Sequence, residues 1–241
     1  MSWTKNREKL YEASVSTLRA ISKNKKITSK TGLSQRPPAS VNIALPNVPR
    51  SSKDIYKWRG ESDFQAFWHL FHKKTRDFQL TLPAKMIFNE LEISRVELLG
   101  CKKYLGSKKN ISEFTNARSD ELEDEKSLNF LSYGANLWIK KASGQYLTDN
   151  SKNILNKFID KYNIDDSCDL FRKNLLASID SQAEFEKNAL KLLKKINLLR
   201  EDFEEDELDI EDAPGSTDDI ENIDSNIEAV SYTHLRAHET Q

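Results

Sequence analysis

The chain has 241 residues, 37% of them hydrophobic and 31% charged, room for one large domain or two small ones in a composition that leans polar. Its net charge of −1 hides a split: residues 201–229 hold 14 acids and no Lys or Arg, whereas 1–200 hold 36 basic against 23 acidic residues. No run approaches the ~20 apolar residues that span a bilayer, the N-terminal MSWTKNREKL lacks the apolar core of a secretory signal, and Cys101 and Cys168 stand far apart without a neighbouring His; membrane, secreted and disulfide-framed classes are set aside in favour of a cytoplasmic protein with reduced thiols.

Tyr11, Val15 and Leu18 recur at helical spacing and predict a first helix over 5–22. Val41, Ile43 and Leu45 alternate with polar residues, the pattern of a short half-buried strand closed by Pro46 and Pro49, and Lys26–Lys30 offers it a hairpin partner. Ser62 reads as the N-cap of a second helix with an apolar stripe of Phe64, Phe67, Trp68, Phe71 and Phe78. Pro83 suits the first turn of a third, where its missing N–H is not needed; Ile87, Leu91 and Leu98 form the buried face and Gly106 the stop. Leu128, Leu131, Ala135 and Trp138 predict a helix over 120–141 ended by Gly144, and Ile154, Leu155, Phe158 and Ile159 another. Ser181-x-x-Glu184 is a capping box, each side chain satisfying a free backbone N–H near the other, and it opens a helix with Phe185, Ala189, Leu192, Ile196 and Leu199 on one side.

Residues 201–229 have few large apolar groups and a break at Pro214-Gly215, and read as a disordered linker. The expected fold is mainly α: a multi-helix domain over 1–200 with a small β-strand or hairpin element near 26–46, followed by a disordered acidic tail. Residues 230–241 resemble translated sequencing-adapter read-through and are expected to be non-native. That removes His234 and His238, which have the spacing of two metal ligands on one helix face, from the candidates.

His69 and His72 lie three apart on the second helix between Asp63 and Asp77; local hydrogen bonding beside the aromatic stripe is preferred to a metal site, since a third placed ligand is missing. In Arg59-Gly60-x-x-Asp63, the glycine permits a sharp turn into the helix and Asp63 complements the dipole of the first turn. Arg59 pairs with Asp63 or with Glu92, or else Arg59 or Arg95 reaches a partner's carboxylate or a nucleotide phosphate; the spacing leaves these open. Glu92 and Arg95 share a helix face, while Glu97 points elsewhere. Without a nucleophile, an oxyanion donor or a phosphate-binding Gly-x-x-x-x-Gly-Lys-Ser/Thr loop, no catalytic, cofactor or metal residue is assigned. The basic body reads as a Lys-rich solvated surface, because no nucleic-acid motif accompanies it.

The order and spacing of Arg59-Gly60-x-x-Asp63 and Glu92-x-x-Arg95-x-Glu97-x-x-Gly100, with the strand near Val41–Leu45 before them and the Gln182–Leu199 helix feeding an acidic linker after them, resemble the N-terminal region of the cobaltochelatase T subunit, CobT, over about residues 10–229. The chain departs from that pattern at Lys73 after His72 and at Asp77, positions where the family often has Asp and His. The resemblance implies a non-catalytic subunit of a nitrogen–metal ligase of cobalamin biosynthesis. Its partners would be an AAA+ ATPase subunit and a large chelating subunit, in an oligomeric ring assembly that uses ATP and Mg²⁺ to insert Co²⁺ into hydrogenobyrinic acid a,c-diamide. Neither nucleic acid nor membrane is expected as a partner. The motif residues Arg59, Gly60, Asp63, His72, Glu92, Arg95, Glu97 and Gly100 become candidate interface positions. The family's C-terminal von Willebrand factor A-like domain carries an Asp-x-Ser-x-Ser metal site; no such motif occurs here, so the chain is expected to stop within the acidic linker. A second reading keeps this architecture and changes the client, making the chain an adaptor in an AAA+ remodelling system.

Overall fold

A computed structural model describes residues 3–38, 41–51, 54–74 and 78–199, all within a compact unit spanning Met1–Glu204. Asp77, the acidic run 201–229 and the segment 230–241 with His234 and His238 lie outside the described residues. The fold is mainly α. Helix α1 (Trp3–Ser22) leads to strands β1 (Thr28–Thr31) and β2 (Asn42–Leu45), then to α2 (Ile55–Phe71), α3 (Leu82–Lys103), α4 (Lys108–Glu121), α5 (Leu128–Ala142), α6 (Asp149–Tyr162), α7 (Asp169–Ala177) and α8 (Gln182–Lys195).

The two strands do not form the expected hairpin. They pair in parallel, Thr28 opposite Asn42 and Thr31 opposite Leu45. A parallel pair requires a connection that returns the chain to its starting end; between the two strands in sequence, Arg36 is buried against Glu97 and the Phe64 ring. Ile43 and Leu45 turn inward as the alternation predicts and join Val15, Leu18, Ile27 and Ala66 in a small core under α1, whereas Val41 is 39% exposed. Arg19 Nε donates to the Ile27 carbonyl at 2.8 Å and Trp58 Nε1 to that of Pro46 at 2.8 Å, fixing the strand pair to α1 and α2.

The second helix begins at Ile55, seven residues before the expected cap. Ser62 is buried in its middle and accepts a hydrogen bond from the Ser14 hydroxyl at 2.9 Å. The aromatic stripe is core, as its spacing implies: Phe64, Phe67 and Trp68 pack with Ile93, Val96, Ile111 and Phe114, each side chain contributing about 1.5–3 kcal/mol of burial. Phe78 is not part of that helix and instead meets Phe88 edge-on at 5.6 Å. Helix α3 starts with Pro83 in its first turn, as expected, and stops at Tyr104; Gly106 falls in a short 3₁₀ turn, Leu105–Ser107, rather than at the stop.

Two helices escaped the hydrophobic pattern. The expected helix over 120–141 is α5, starting only at Leu128 behind Ser127, whose hydroxyl accepts from the Phe130 N–H. Before it lies α4, which buries Thr115, Asn116 and Ser119 beside only two large apolar residues, Ile111 and Phe114. Helix α7 is nine residues long and buries only Leu175. Ser181 caps α8, accepting from the Glu184 N–H at 3.4 Å, but its own N–H donates to the Ser178 carbonyl at 3.0 Å rather than to Glu184, so half of the predicted box forms.

Candidate functional site

The middle of α3 carries Glu92, Arg95 and Glu97, each at most 3% exposed. At about 100° per residue, Glu97 lies about 200° round the helix from Arg95, so the two ends of the motif serve separate networks on opposite sides of one helix.

On the first side Arg95 grips Glu92 with both prongs of its guanidinium, Nε and Nη2 each 2.7 Å from a carboxylate oxygen. The remaining donors reach the Phe71 carbonyl at 2.9 Å, the Ile179 carbonyl at 3.2 Å and Gln182 Oε1 at 3.3 Å. Phe71 O is one of the last carbonyls of α2, left without an intrahelical partner, so Arg95 completes that end. His72 Nδ1 lies 2.8 Å from Glu92 Oε1 and its ring stacks on Trp68 at 3.8 Å. Gln182, in the first turn of α8, accepts from the Lys73 N–H at 2.8 Å and donates to the Lys73 carbonyl at 2.9 Å. This network therefore joins α2, α3 and α8, the first and last of them more than a hundred residues apart in sequence.

On the second side Glu97 receives two cations. Arg36 Nη1 lies 2.9 Å from Oε1, and Lys140 Nζ of α5 lies 2.6 Å from Oε2. Arg36 also sits 4.6 Å from the Phe64 ring centre and 3.9 Å from a Glu90 oxygen. Lys140 hydrogen-bonds the Thr115 hydroxyl, and the Thr115 carbonyl accepts from Tyr133 at 2.9 Å. Burial alone would raise the Glu97 carboxyl, but Arg36 and Lys140 overcome it and hold Glu97 down at about 2. Burial pushes Glu90 up and Lys140 down, since each has weaker compensation. Burial, with the charge of Glu121, raises Glu61 to about 7; its carboxylate accepts from Ser34 in the same strap that delivers Arg36. Thus Glu97 stays ionised as the counter-charge that admits Arg36 and Lys140 into the interior.

The motif glycines permit close approach. A Cβ at Gly60 would fall 2.6 Å from Phe114 Cβ and run into the Asn110 carbonyl, and one at Gly100 would enter the Phe67 ring. Gly60 therefore does not turn the chain into α2, and Asp63, expected in the first turn, sits mid-helix, where it accepts from Asn110 Nδ2 at 2.8 Å. Burial raises the Asp63 carboxyl against that hydrogen bond, one from Ser107 and the charge of Arg59.

With this geometry in view, the comparison with known families is decisive: the family described as cobalamin biosynthesis protein CobT matches residues 4–234. The chain belongs to the CobT family. Membership assigns it to cobalamin biosynthesis. No curated protein sequence and no solved structure matches it.

Within this CobT chain the structure brings His72, Glu92 and Arg95 together, leaves Arg59 exposed beside Asp63, and turns Glu97 away from both. Arg95 is 1% exposed and every nitrogen of its guanidinium is already bonded within the fold, which keeps it from a partner's carboxylate or a phosphate; that alternative survives only for Arg59. Glu92 pairs with Arg95 and His72 rather than with Arg59. His69 is half-buried, and burial lowers its imidazole. Among the described residues no three His, Cys, Asp or Glu side chains gather closely enough to hold a metal ion, and no helix is long and apolar enough to cross a membrane. Sequence reading passed over Arg36, Lys140, Glu90, Tyr133 and Gln182. Lys140 stood in an otherwise apolar run, Leu137-Trp138-Ile139, and was the one signal available.

Proposed function

We propose that this chain is the N-terminal helical portion of the T subunit of an ATP-dependent cobaltochelatase, a non-catalytic partner of an AAA+ ATPase subunit in Co²⁺ insertion into hydrogenobyrinic acid a,c-diamide. The observation that carries the reading is the family match over residues 4–234. The motif geometry supports a mechanical role: Glu92, Arg95, Glu97 and the two glycines lock helices against one another, the property wanted in a body that transmits a partner's movement. ATP, Mg²⁺ and Co²⁺ belong in this proposal to the other subunits, with Co²⁺ as substrate. Arg59 is the motif residue placed to meet a partner, because it is exposed.

Co-sedimentation with the cognate ATPase subunit at micromolar concentration tests this. The expected outcome is a complex that the chain enters without hydrolysing ATP by itself, weakened by Arg59→Glu. A well-folded chain that sediments alone overturns it.

A further inference from the structure

A groove of about 660 Å³ opens between the C-terminal turn of α3, the start of α4, the α5–α6 loop and the end of α7. Its floor is aliphatic, built from Leu98, Leu105, Leu176 and Ile179. Two of its large side chains stand well out, Leu105 being 67% and Tyr146 71% exposed. Its lining contains three lysines, Lys102, Lys108 and Lys109, and no carboxylate. Lys102 is held by Asp180 just outside, and Lys109 lies over the Tyr56 ring at 3.8 Å; Lys108 makes no ion pair among the described residues. An apolar floor of this size inside a one-signed rim has the make-up of a recognition site, since scattered single apolar residues are ordinary but a contiguous rimmed patch is not.

We propose that this groove is a docking site for an acidic, leucine-bearing segment of a partner protein. The lysines select carboxylates by charge and the aliphatic floor takes the apolar side chains between them. Compact ammonium groups without a planar fork, and a floor with a single ring, fit a peptide better than a nucleic acid, which asks for stacking platforms. The inference stands on the groove alone and holds whether or not the assembly proposed above is the right one.

The experiment is fluorescence anisotropy of the full chain with a fluorescein-labelled peptide in which leucines alternate with pairs of glutamates. Its controls are the same peptide with serine for leucine, and a labelled single-stranded oligonucleotide. Saturable micromolar binding is expected, weakened by added salt because the rim is exposed. Lys108→Glu with Lys109→Glu should weaken it by about tenfold, and Leu105→Ser by a similar factor, about 1.4 kcal/mol each. All three side chains are exposed, so circular dichroism should be unchanged. Absence of saturable binding, equal binding of the serine peptide, or insensitivity to Leu105→Ser overturns the proposal. Oligonucleotide binding that matches the peptide assigns the rim to nucleic acid instead, and self-association lost in Leu105→Ser assigns the groove to a second copy.

Discussion

Arg95 places a full charge where 1% of the residue is exposed, and acceptors from α2, α3 and the α7–α8 turn surround it. Arg95→Ala would leave Glu92 buried without its cation, and removing one partner of such a pair costs about 3–5 kcal/mol; urea denaturation of the purified chain should show a loss of that size. Arg95→Lys should recover only part of it, because an ammonium cannot grip Glu92 with two prongs and also reach the Phe71 and Ile179 carbonyls. Gly60 is the opposite case, a residue whose contribution is the volume it omits. Gly60→Ala sets a methyl against the Asn110 backbone and should cost about 1–3 kcal/mol by parting α2 from α4, read in the same assay. That Glu92 and Arg95 share a helix face was legible because they are three residues apart on one helix, but that they pair with each other rather than with Arg59 or a partner was not. Gly60 was legible as special but not as a contact: a glycine needed for a turn and one needed for close approach look alike until the neighbouring helix is known.

At the scale of elements, α4 shows where hydrophobic periodicity stops working. Its inner face toward α6 is polar, and its bonds are made to groups some thirty residues downstream. Asn116 Nδ2 donates to the Tyr146 carbonyl at 3.2 Å, while its Oδ1 accepts from the Thr148 N–H at 3.1 Å and the Ser151 hydroxyl at 2.8 Å. Ser119 and Ser151 meet at 2.7 Å. A buried face that is satisfied rather than apolar leaves no stripe in the sequence, so the helix was invisible although Thr115, Asn116 and Ser119 are all buried. The strand pair failed for a related reason: alternation shows which side of β2 faces inward, but not the direction of its neighbour, which is parallel with Arg36 buried against Glu97 between the two strands in sequence. Asn116→Ala should therefore cost about 1–3 kcal/mol for the groups it strands and loosen the α5–α6 loop selectively. Hydrogen exchange at the Thr148 amide should rise more than at amides of α2, whereas uniform acceleration would place the loss elsewhere.

For the molecule as a whole, two of the carboxylates beside the Arg36 strap, Glu97 and Glu61, set opposite limits on pH. Glu97 is held at about 2 against an ordinary 4.5, so its contribution is complete above 4.5 and is lost as pH falls toward 2. Protonation there leaves Arg36 and Lys140 buried without their counter-charge, and the acid limb should be steep. Glu61 behaves inversely. Raised from 4.5 to about 7 by burial, it is accommodated as the neutral acid, and stability that is full below 4.5 declines as pH rises through about 7. Stability should therefore fall off at both ends, by acid through Glu97 and toward neutral pH through Glu61. In Glu61→Gln the amide keeps an acceptor for Ser34 and never ionises. That variant should match the parent at pH 4.5, exceed it at pH 8 by about 2 kcal/mol after allowing for the solvent that reaches the group, and keep the acid limb intact. Thermal unfolding of both chains from pH 3 to 9 measures this directly. A parent profile that stays flat through neutral pH would mean that Glu61 ionises at no cost, and that the strap is held by the contacts of Arg36 without it.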